Sequence, residues 1–406
     1  MKQEFLINNK KYIFNGETLD FYEVTDEDTT IYKENNESDQ RNKNNELRTL
    51  FKLVFNISNK CNLKCKYCYA QGGNYGREDS ILTKESIDKI MDKLFIKYDR
   101  INTVYFFGGE PTLNFENIKY AVDRLSSCYD IKDYRIVTNG TNIDDEMVRY
   151  FKEYEFRVYI SIDGSEEIHN LLRGKNTHAI ILKNIQKFDL FDMEGQLELI
   201  CTYTKYHKDN GIGYNDLEEY FKKLGIKYSI SNVITDDENL KLQHDENYEE
   251  LQYSEIDNSI KKILEHSDNT GISGILDTVL STMISKNQNE FFCKELQNDY
   301  SNVYDYNEEV YSCIRLLGSY KKDDAKIYEF NNKKNYELCK KCWAKKFCTV
   351  CTADLLLFGR DKLVNQKKCD KSEYYKYAMK KVLEIYDEDI NKASELFNNY
   401  CKYFIK

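Results

Sequence analysis

The sequence predicts an α/β fold, namely a partial (β/α)6 barrel with a small N-terminal β-rich segment and a C-terminal cysteine-rich domain. Six apolar runs of strand character recur within residues 51–235, and segments with helical periodicity separate them. This alternation predicts a parallel sheet with helical crossovers, and six such units suggest a partial barrel. Thirteen cysteines, ten of them in groups with short spacings, fit metal ligation better than a disulfide framework.

The composition argues against several classes of partner. The 406 residues carry 59 basic and 69 acidic side chains, a formal charge of −10, without a long basic block. Nucleic acid is therefore not expected as a partner, because phosphate recognition leaves a basic footprint. The N-terminus does not resemble a secretion signal, and no apolar run reaches membrane-spanning length. We therefore expect no membrane contact and a cytoplasmic location.

The N-terminal segment alternates apolar and polar positions as far as residue 32 and is broken at Asn15-Gly16, which predicts small β-hairpins. Residues 33–46 contain no apolar side chain and predict a solvated linker. In the barrel region, Thr83, Asp144 and Asn215 stand where helices should begin. The predicted strands are Phe51–Ile57, Thr103–Phe107, Tyr134–Thr138, Arg157–Ile162, Leu197–Tyr203 and Tyr228–Val233.

The loop after the first strand holds three cysteines, Cys61, Cys65 and Cys68, within eight residues. Cysteine thiolates are the soft ligands that iron–sulfur clusters require, and three of them leave one iron of a four-iron cluster open to another ligand. Active sites of such barrels lie at the carboxyl ends of the strands, where this loop begins. A zinc site with its fourth ligand elsewhere is the alternative.

The cysteine spacing, with Tyr67 before the last cysteine and Tyr69 after it, resembles the signature of radical S-adenosylmethionine (SAM) enzymes. The resemblance implies a [4Fe-4S] cluster on Cys61, Cys65 and Cys68, whose open iron chelates the amino and carboxylate groups of SAM. It also implies that an electron from the reduced cluster breaks the sulfonium bond. The product is a 5′-deoxyadenosyl radical, which abstracts hydrogen from a substrate.

Three later strand ends match the same family in the same order: Gly-Gly-Glu-Pro at 108–111, Thr-Asn-Gly at 138–140 and Ser-Ile-Asp-Gly at 161–164. The first resembles the segment that binds the methionyl amino group, and the other two resemble segments that line the ribose and methionine moieties. His169 and Arg173 follow in an order seen in relatives, where an arginine often pairs with the SAM carboxylate. The residues implied to bind SAM are Tyr67, Tyr69, Gly108, Gly109, Glu110, Thr138, Asn139, Ser161, Asp163 and Arg173.

Seven further cysteines lie between residues 293 and 369. Their two pairs with two-residue spacing are compatible with one four-cysteine zinc site, which would leave three thiols unused. The pattern resembles the SPASM domain, an extension with two auxiliary [4Fe-4S] clusters in many radical SAM enzymes that act on peptides. The resemblance implies a distal cluster on Cys339, Cys342, Cys348 and Cys369 and a proximal cluster on Cys293, Cys313 and Cys351.

Two auxiliary clusters need eight thiolates, and this pattern supplies seven, so the proximal cluster is one ligand short. Another cysteine, water, another side chain or a substrate cysteine are the candidates for the missing ligand. A substrate thiolate held there, close to the radical, suits formation of a thioether bond. Cys128, Cys201 and Cys401 are interpreted as small buried hydrophobic residues, any of which remains open as the eighth ligand.

The predicted function is maturation of a ribosomally made peptide by thioether cross-linking, as in sactipeptide and ranthipeptide maturases, with SAM and three [4Fe-4S] clusters as cofactors. The expected partners are a cysteine-containing precursor peptide with a leader and an external electron donor of flavodoxin or ferredoxin type. Five divisions are predicted. Residues 1–50 are a β-rich segment that either extends a sheet or holds the leader by strand addition. Residues 51–235 are the radical SAM barrel, 236–292 a helical bridge, 293–370 the SPASM domain and 371–406 a helical tail.

Three other functions remain open. The first is an anaerobic sulfatase-maturating enzyme, which forms formylglycine, although an Asp typically follows the cysteine matching Cys313 in those relatives and Ile314-Arg315 follows it here. The second is carbon–carbon cross-linking of a peptide. The third is an iron–sulfur electron carrier, for which the segments that resemble SAM-binding ones have no use.

Overall fold

The computed structural model describes residues 1–24, 47–235, 237–242, 246–265, 272–286, 290–297, 299–359, 369 and 371–404, so the predicted linker at 33–46 lies outside the described part. Its strands are β1 (Lys2–Ile7), β2 (Lys10–Asn15), β3 (Asp20–Val24), β4 (Thr49–Ser58), β5 (Arg100–Gly108), β6 (Tyr134–Thr138), β7 (Arg157–Ser161), β8 (Leu197–Tyr203), β9 (Lys227–Asn232), β10 (Ser301–Tyr304) and β11 (Val310–Tyr311).

The helices of the described residues are α1 (Lys84–Lys97), α2 (Phe115–Ser126), α3 (Asp145–Glu153), α4 (Glu166–Arg173), α5 (Thr177–Leu190), α6 (Lys205–Asp209), α7 (Tyr214–Leu224), α8 (Glu246–Glu265), α9 (Gly274–Ser285), α10 (Ala325–Asn331), α11 (Glu337–Lys340), α12 (Thr352–Phe358), α13 (Lys371–Glu388) and α14 (Ile390–Tyr403). Within that part of the chain, none of them combines the length and the apolar character that a membrane span requires.

The chain is divided into two compact units. The terminal unit comprises residues 1–44, 243–294 and 328–406, and the sheet unit comprises residues 45–242 and 295–327. Each unit is therefore assembled from segments that are distant in the sequence.

The sheet unit contains one sheet with the strand order β11-β10-β4-β5-β6-β7-β8-β9. All neighbours from β4 to β9 are parallel, which confirms the predicted α/β fold with a parallel central sheet. The sequence did not predict β10, which pairs parallel to β4, or β11, which pairs antiparallel to β10. These two strands contain only four and two residues, too few for a recognisable pattern.

The core of the sheet unit follows from the apolar runs of its strands. Leu53, Val54 and Phe55 are consecutive on β4 and are at most 1 % exposed, as expected for a parallel strand covered on both faces. Helices α1 and α3 begin after Thr83 and Asp144, as predicted, and each cap accepts a hydrogen bond from the backbone N–H three residues later.

The prediction that Asn215 caps α7 was wrong by two residues. The helix starts immediately after Gly213, whose N–H donates to Asp216 Oδ2 at 2.7 Å. An acidic side chain in the first turn therefore caps this helix from inside, and the Asn was not needed as a cap.

The terminal unit has its own core. Strands β1, β2 and β3 form an antiparallel sheet, and the turn between β1 and β2 is at Asn8-Asn9, where both residues have positive φ. The inward side chains Phe5 and Phe14 meet Trp343 edge to face, with ring centroids 6.0 and 5.9 Å apart, and pack in one cluster with residues of α8, α9, α13 and α14.

The three cysteines outside the predicted ligand groups differ in burial. Cys201 is buried on β8, as interpreted from the sequence. Cys128 and Cys401 are exposed, so their interpretation as buried hydrophobic residues was wrong. Each lies near the C-terminal end of an amphipathic helix, where the sequence pattern does not separate the buried face from the exposed one.

Candidate active site

The loop that carries Cys61, Cys65 and Cys68 begins directly after β4, at the carboxyl edge of the parallel sheet. The N–H of Leu63 donates to Cys61 Sγ at 3.4 Å, and the N–H of Gly72 donates to Cys68 Sγ at 3.3 Å. Hydrogen bonds to sulfur favour the thiolate, which is the form that ligates metals. Two of the three sulfurs are thus already supplied with backbone donors.

Backbone contacts hold this loop against the end of β5. The N–H of Glu110 donates to the carbonyl of Lys60, the residue before Cys61, at 2.8 Å. Gly73 has a φ of +105°, and a Cβ added to it would lie 2.5 Å from the Cα of Gly109. A Cβ on Gly109 would lie 2.5 Å from the carbonyl oxygen of Lys60. Both glycines are therefore required by the close approach of the two backbones.

Glu110 is fully buried and joins the ends of β5 and β6. Its Oε1 accepts from the hydroxyl groups of Thr138 at 2.6 Å and Thr112 at 2.7 Å, and its Oε2 accepts from the N–H of Asn139 at 2.7 Å. Burial raises the pKa of Glu110, and these hydrogen bonds oppose the shift. In this structure the carboxylate therefore positions the Thr138-Asn139 segment.

Asn139 connects that segment to the cysteine loop. Its Nδ2 donates to Asn62 Oδ1 at 2.8 Å and lies 3.8 Å from Cys61 Sγ, while its Oδ1 accepts from the N–H of Thr141 at 2.9 Å. Asn62 in turn donates to the hydroxyl of Thr141 at 2.9 Å. Asn62 was not singled out from the sequence, although it lies between two of the predicted ligands.

Asp163, at the end of β7, is fully buried and is paired with Arg173, which is 7 % exposed. Arg173 donates from Nε to Oδ2 at 2.8 Å and from Nη2 to Oδ1 at 3.1 Å, and the Tyr67 hydroxyl donates to Oδ2 at 2.6 Å. Burial raises the pKa of Asp163, but the Arg173 charge and the hydrogen bonds from Arg173 and Tyr67 together outweigh it and leave that pKa below its usual value. The arginine that the resemblance assigned to the SAM carboxylate is thus bidentate to Asp163 here.

Two histidines hold the backbone of Asp163. Its N–H donates to His169 Nδ1 at 3.1 Å, so His169 carries its proton on Nε2, which lies 3.1 Å from the hydroxyl of Thr177. Burial lowers the pKa of His169 to about 3, which keeps the ring neutral. His207 Nε2 donates to the Asp163 carbonyl at 3.0 Å. Sequence reasoning missed His207, because a lone histidine has no pattern.

The remaining predicted residues lie around the same edge. Gly108 ends β5 with a φ of +152°, and a Cβ there would lie 2.2 Å from the carbonyl oxygen of Ser58. Ser161 ends β7 and is 9 % exposed. Tyr69 is 41 % exposed, and the Arg315 guanidinium stands 5.7 Å from the centre of its ring.

Four C-terminal cysteines share one electrostatic environment in the terminal unit. Burial raises the pKa of Cys339 to about 12, and Cys348, Cys342 and Cys369 act in the same direction. The fully buried Lys333 acts in the opposite direction. Cys342 and Cys348 pack against one hydrophobic cluster of this unit, and Cys339 and Cys348 pack against another. The assignment of these four cysteines to one cluster stays a prediction.

The residues assigned to the proximal cluster are divided between the units. Cys293 and Cys351 belong to the terminal unit, and Cys313 belongs to the sheet unit. In the terminal unit, Asn331 Oδ1 accepts from the N–H of Cys293 and from the hydroxyl of Thr352, the residue after Cys351, both at 2.8 Å. The buried Asn331, which the sequence did not indicate, thus links the segments of two assigned ligands.

Residues 55–203 match the family model of the Radical SAM superfamily. They form a radical SAM domain. The cysteine loop and the three strand-end segments all lie inside these residues. The superfamily implies SAM and a [4Fe-4S] cluster as cofactors.

Two curated relatives are informative. The chain is 25 % identical over 290 residues to the radical SAM cyclopropyl synthase TigE of Paramaledivibacter caminithermalis, covering 66 % of this chain and 59 % of that protein. It is 28 % identical over 198 residues to the cysteine-type anaerobic sulfatase-maturating enzyme of Clostridium novyi, covering 45 % of this chain and 50 % of that protein. The chain therefore spans about half to three-fifths of the length of these curated relatives.

Similarity to a solved structure extends beyond the radical SAM domain to most of the chain. The solved structure of native anSMEcpe with bound AdoMet and Cp18Cys peptide aligns with a TM-score of 0.63, covering 86 % of this chain and 99 % of that one, at 21 % identity. This alignment supports the predicted architecture of a parallel α/β sheet followed by a cysteine-rich C-terminal region.

The radical SAM domain offers a donor set that fits the implied cluster. Its three thiols come from one loop, and N–H groups are directed at Cys61 and Cys68. Burial raises the pKa of Cys65 to about 11, so ligation there must release a proton. Within the described ranges, no three His, Cys, Asp or Glu side chains are grouped as a site for a single metal ion.

Proposed function

We propose that this chain is a radical SAM peptide maturase that installs thioether cross-links from cysteine residues of a ribosomally synthesised precursor peptide. Cys61, Cys65 and Cys68 would hold the radical-forming cluster, and the seven C-terminal cysteines would hold two auxiliary clusters. When bound, SAM and these clusters would supply the 5′-deoxyadenosyl radical that removes one hydrogen atom and the one-electron acceptor that balances loss of the second hydrogen as a proton. A flavodoxin or ferredoxin would supply the reducing electron.

The observation that supports the radical chemistry is that the ends of three strands surround the cysteine loop. Glu110 fixes the end of β6 against the end of β5, and Asp163 fixes α4 and Tyr67 at the end of β7. These buried carboxylates link the segments around Cys61 to Cys68 by hydrogen bonds. Such preorganisation places a bound substrate without further ordering of the protein.

A peptide substrate is supported by the relatives. The Clostridium novyi relative is a sulfatase-maturating enzyme, and the anSMEcpe structure holds a peptide. A precursor peptide with a leader is the substrate class that agrees with these relatives and with the cysteine-rich C-terminal region of this chain.

Arg315 favours thioether formation over formylglycine formation. In sulfatase-maturating relatives an Asp follows the cysteine that corresponds to Cys313, and an ionised Asp carboxylate can accept a proton. Here Ile314 and Arg315 follow, and the Arg315 guanidinium stands 5.7 Å from the Tyr69 ring centre. A guanidinium is a permanent donor and cannot act as a base. Formylglycine formation is the second candidate, favoured by the 28 % identity to the sulfatase-maturating enzyme.

The test is mass spectrometry of a cysteine-containing precursor peptide encoded beside the gene. The peptide is incubated anaerobically with the reconstituted chain, SAM and a chemical reductant, and is then treated with a thiol alkylating agent. Loss of two hydrogens per modification, with the affected cysteine no longer alkylated, supports a thioether. Loss of sulfur from the peptide indicates formylglycine, and loss of two hydrogens with all thiols alkylated indicates another bond. The Cys61→Ala variant is the control without radical formation.

A further inference from the structure

Lys333 is a fully buried lysine of the terminal unit. It opens a short 3-10 turn just before helix α11, which carries Cys339. Its Nζ donates to the carbonyl of Lys345 at 2.7 Å, and its backbone N–H donates to the carbonyl of Glu290 at 3.1 Å. A buried ammonium group is unfavourable unless a negative charge compensates it.

Glu290, the carboxylate whose negative charge favours the charged form of Lys333, is already paired with two other lysines. Glu290 Oε2 lies 3.3 Å from the Nζ of Lys334 and 3.2 Å from the Nζ of Lys345. The positive charge of Lys345 also disfavours the charged form of Lys333. Glu290 with these three lysines therefore leaves an excess of positive charge around the buried ammonium.

Lys333 binds the loop between two of the assigned cluster ligands, because Lys345, whose carbonyl accepts from its Nζ, lies between Cys342 and Cys348. Cys348 and Cys339 both favour the charged form of Lys333. Conversely, the Lys333 charge lowers the pKa of Cys339, Cys342 and Cys348. The Lys333 Nζ also lies 5.9 Å from the centre of the Phe292 ring, and Cys339 and Cys348 pack against the cluster of buried residues that contains Phe292.

We propose that Lys333 is the buried cation that compensates the negative charge of an iron–sulfur cluster on Cys339, Cys342, Cys348 and Cys369 and raises its reduction potential. Reduction adds one electron to such a cluster, so a fixed positive charge stabilises the reduced form more than the oxidised form. Lys333 is proposed to act through the cluster and is therefore a positioning residue rather than a catalytic one. This role rests on the proposed function, which assigns a cluster to these thiols.

Lys371 provides a matched control. Its Nζ donates to the carbonyl of Thr349 at 2.9 Å, and its charge also lowers the pKa of Cys348. Unlike Lys333, it is exposed. Solvent and salt screen an exposed charge, so its removal should change the cluster much less.

The experiment uses the full chain with Cys61, Cys65 and Cys68 changed to Ala, so that iron–sulfur signals arise from the C-terminal thiols. After anaerobic reconstitution, electron paramagnetic resonance follows a redox titration of the signal that Cys369→Ala removes. At a fixed potential, Lys333→Met should lower the ratio of reduced to oxidised cluster roughly tenfold, equivalent to a one-electron midpoint about 59 mV more negative. Lys333→Arg, which keeps the charge, and Lys371→Met should change the ratio less than about threefold.

Thermal unfolding of the metal-free variants separates this role from a structural one. Without the cluster the buried ammonium is uncompensated, so Lys333→Met should be at least as stable as the parent. A lower stability of metal-free Lys333→Met with an unchanged midpoint would overturn the inference. An equal shift in Lys371→Met would overturn it as well.

The same samples distinguish failure of this inference from failure of the proposed function. If the triple Ala chain takes up no iron, there is no cluster for Lys333 to compensate and the inference is overturned. Cleavage of SAM to 5′-deoxyadenosine by the chain with Cys61, Cys65 and Cys68 intact tests the radical activity separately. Cleavage without C-terminal iron would retain the radical SAM activity and reject both the auxiliary clusters and the role of Lys333.

Discussion

The two cysteine sites of this chain lie in different electrostatic surroundings, because buried carboxylates, one of them paired with Arg173, lie near the first and lysines near the second. Around the loop of the radical SAM domain, the buried ionic groups include the carboxylates Glu110 and Asp163. Around Cys339, the neighbouring charges that lower thiol pKa values come from lysine, with Lys333 buried and Lys371 exposed. Carboxylates suit a ligand that carries ammonium and sulfonium groups, whereas lysines suit an anionic group that stays bound.

The sites also differ in how the chain builds them. The first is closed by backbone contacts from strand ends that are distant in sequence, such as Gly73 against Gly109. The second draws three of its four thiols, Cys339, Cys342 and Cys348, from ten consecutive residues. Substitutions should therefore affect the two sites independently, and four expected outcomes test this, from the largest effect to the smallest.

Removal of one thiol from each site should produce different losses. We expect Cys65→Ala to lower formation of 5′-deoxyadenosine by about 100-fold or more, because the radical-forming cluster loses a ligand. We expect Cys348→Ala to leave that formation within about threefold while peptide cross-linking is lost. Liquid chromatography of the nucleoside and mass spectrometry of the peptide measure both. Equal loss of nucleoside in both variants would show that the sites are not independent.

Neutralisation of Asp163 should destabilise the sheet unit. Asp163→Asn leaves the Arg173 guanidinium buried without its partner, and we expect a loss of about 3 kcal/mol in the free energy of unfolding. Urea denaturation measures it. The double variant Asp163→Asn/Arg173→Met should recover part of the loss, since no buried charge is then unpaired. No recovery would mean that the hydrogen bonds to Tyr67 and Thr202, rather than the ion pair, stabilise this region.

Acid should destabilise the sheet unit through His169. Its pKa is about 3 in the folded chain and about 6.5 when unfolded, so below pH 6.5 the unfolded state takes up a proton that the folded state does not. Stability should therefore fall as the pH falls, by about 2 kcal/mol from pH 7 to pH 5 for this residue. His169→Asn should reduce that slope in urea denaturation of the metal-free chain. A slope that is unchanged in the variant would assign the effect to His178 and His207, whose pKa values burial also lowers.

The smallest effect is expected at Gly72. Its φ is +84°, and among the described residues, its chain neighbours aside, no atom lies within 4 Å of an added Cβ. Gly72→Ala should therefore cost about 1 kcal/mol of backbone strain and keep the N–H that donates to Cys68. Its neighbour Gly73 has Gly109 Cα 2.5 Å from an added Cβ, so Gly73→Ala should also lower iron incorporation. Unfolding measurements and iron analysis of both variants compare a strained position with a crowded one. Equal iron content in the two variants would contradict the inference that close packing of Gly73 against Gly109 holds the cysteine loop in place.

Much of the fold could be predicted because parallel strands are continuous apolar runs between helices. The predicted bounds of Tyr134–Thr138 and Leu197–Tyr203 match β6 and β8 to the residue. Strand β5 begins three residues before its prediction, because Arg100 and Asn102 do not resemble strand residues. The edge strand β10 could not be predicted, because its four residues join the sheet only through pairing with β4.

The cysteine pattern and the strand-end segments could also be read from the sequence, but their internal pairing could not. Nothing local indicates that Arg173 is bidentate to Asp163, because the two lie on different elements and meet only in the folded chain. Lys333 and Lys334 are identical neighbours, yet the first is fully buried and the second is 64 % exposed. Burial of that kind depends on tertiary packing, which neither composition nor periodicity encodes.

The pairing of β10 with β4 has a consequence for biosynthesis. Strand β4 leaves the ribosome long before residues 301–304, so one of its edges has no partner strand while the intervening segments are made. An unpaired strand edge invites pairing with other chains, and a lysine on the edge strand counteracts it. Lys52, on β4, is such a residue, and in the finished protein its Nζ lies 2.8 Å from Glu295, just upstream of β10. We expect Lys52 to protect this edge of the nascent chain until Glu295 is made and pairs with it. Any shortened form used to isolate the radical SAM domain should therefore retain residues 295–327, which cover the same edge.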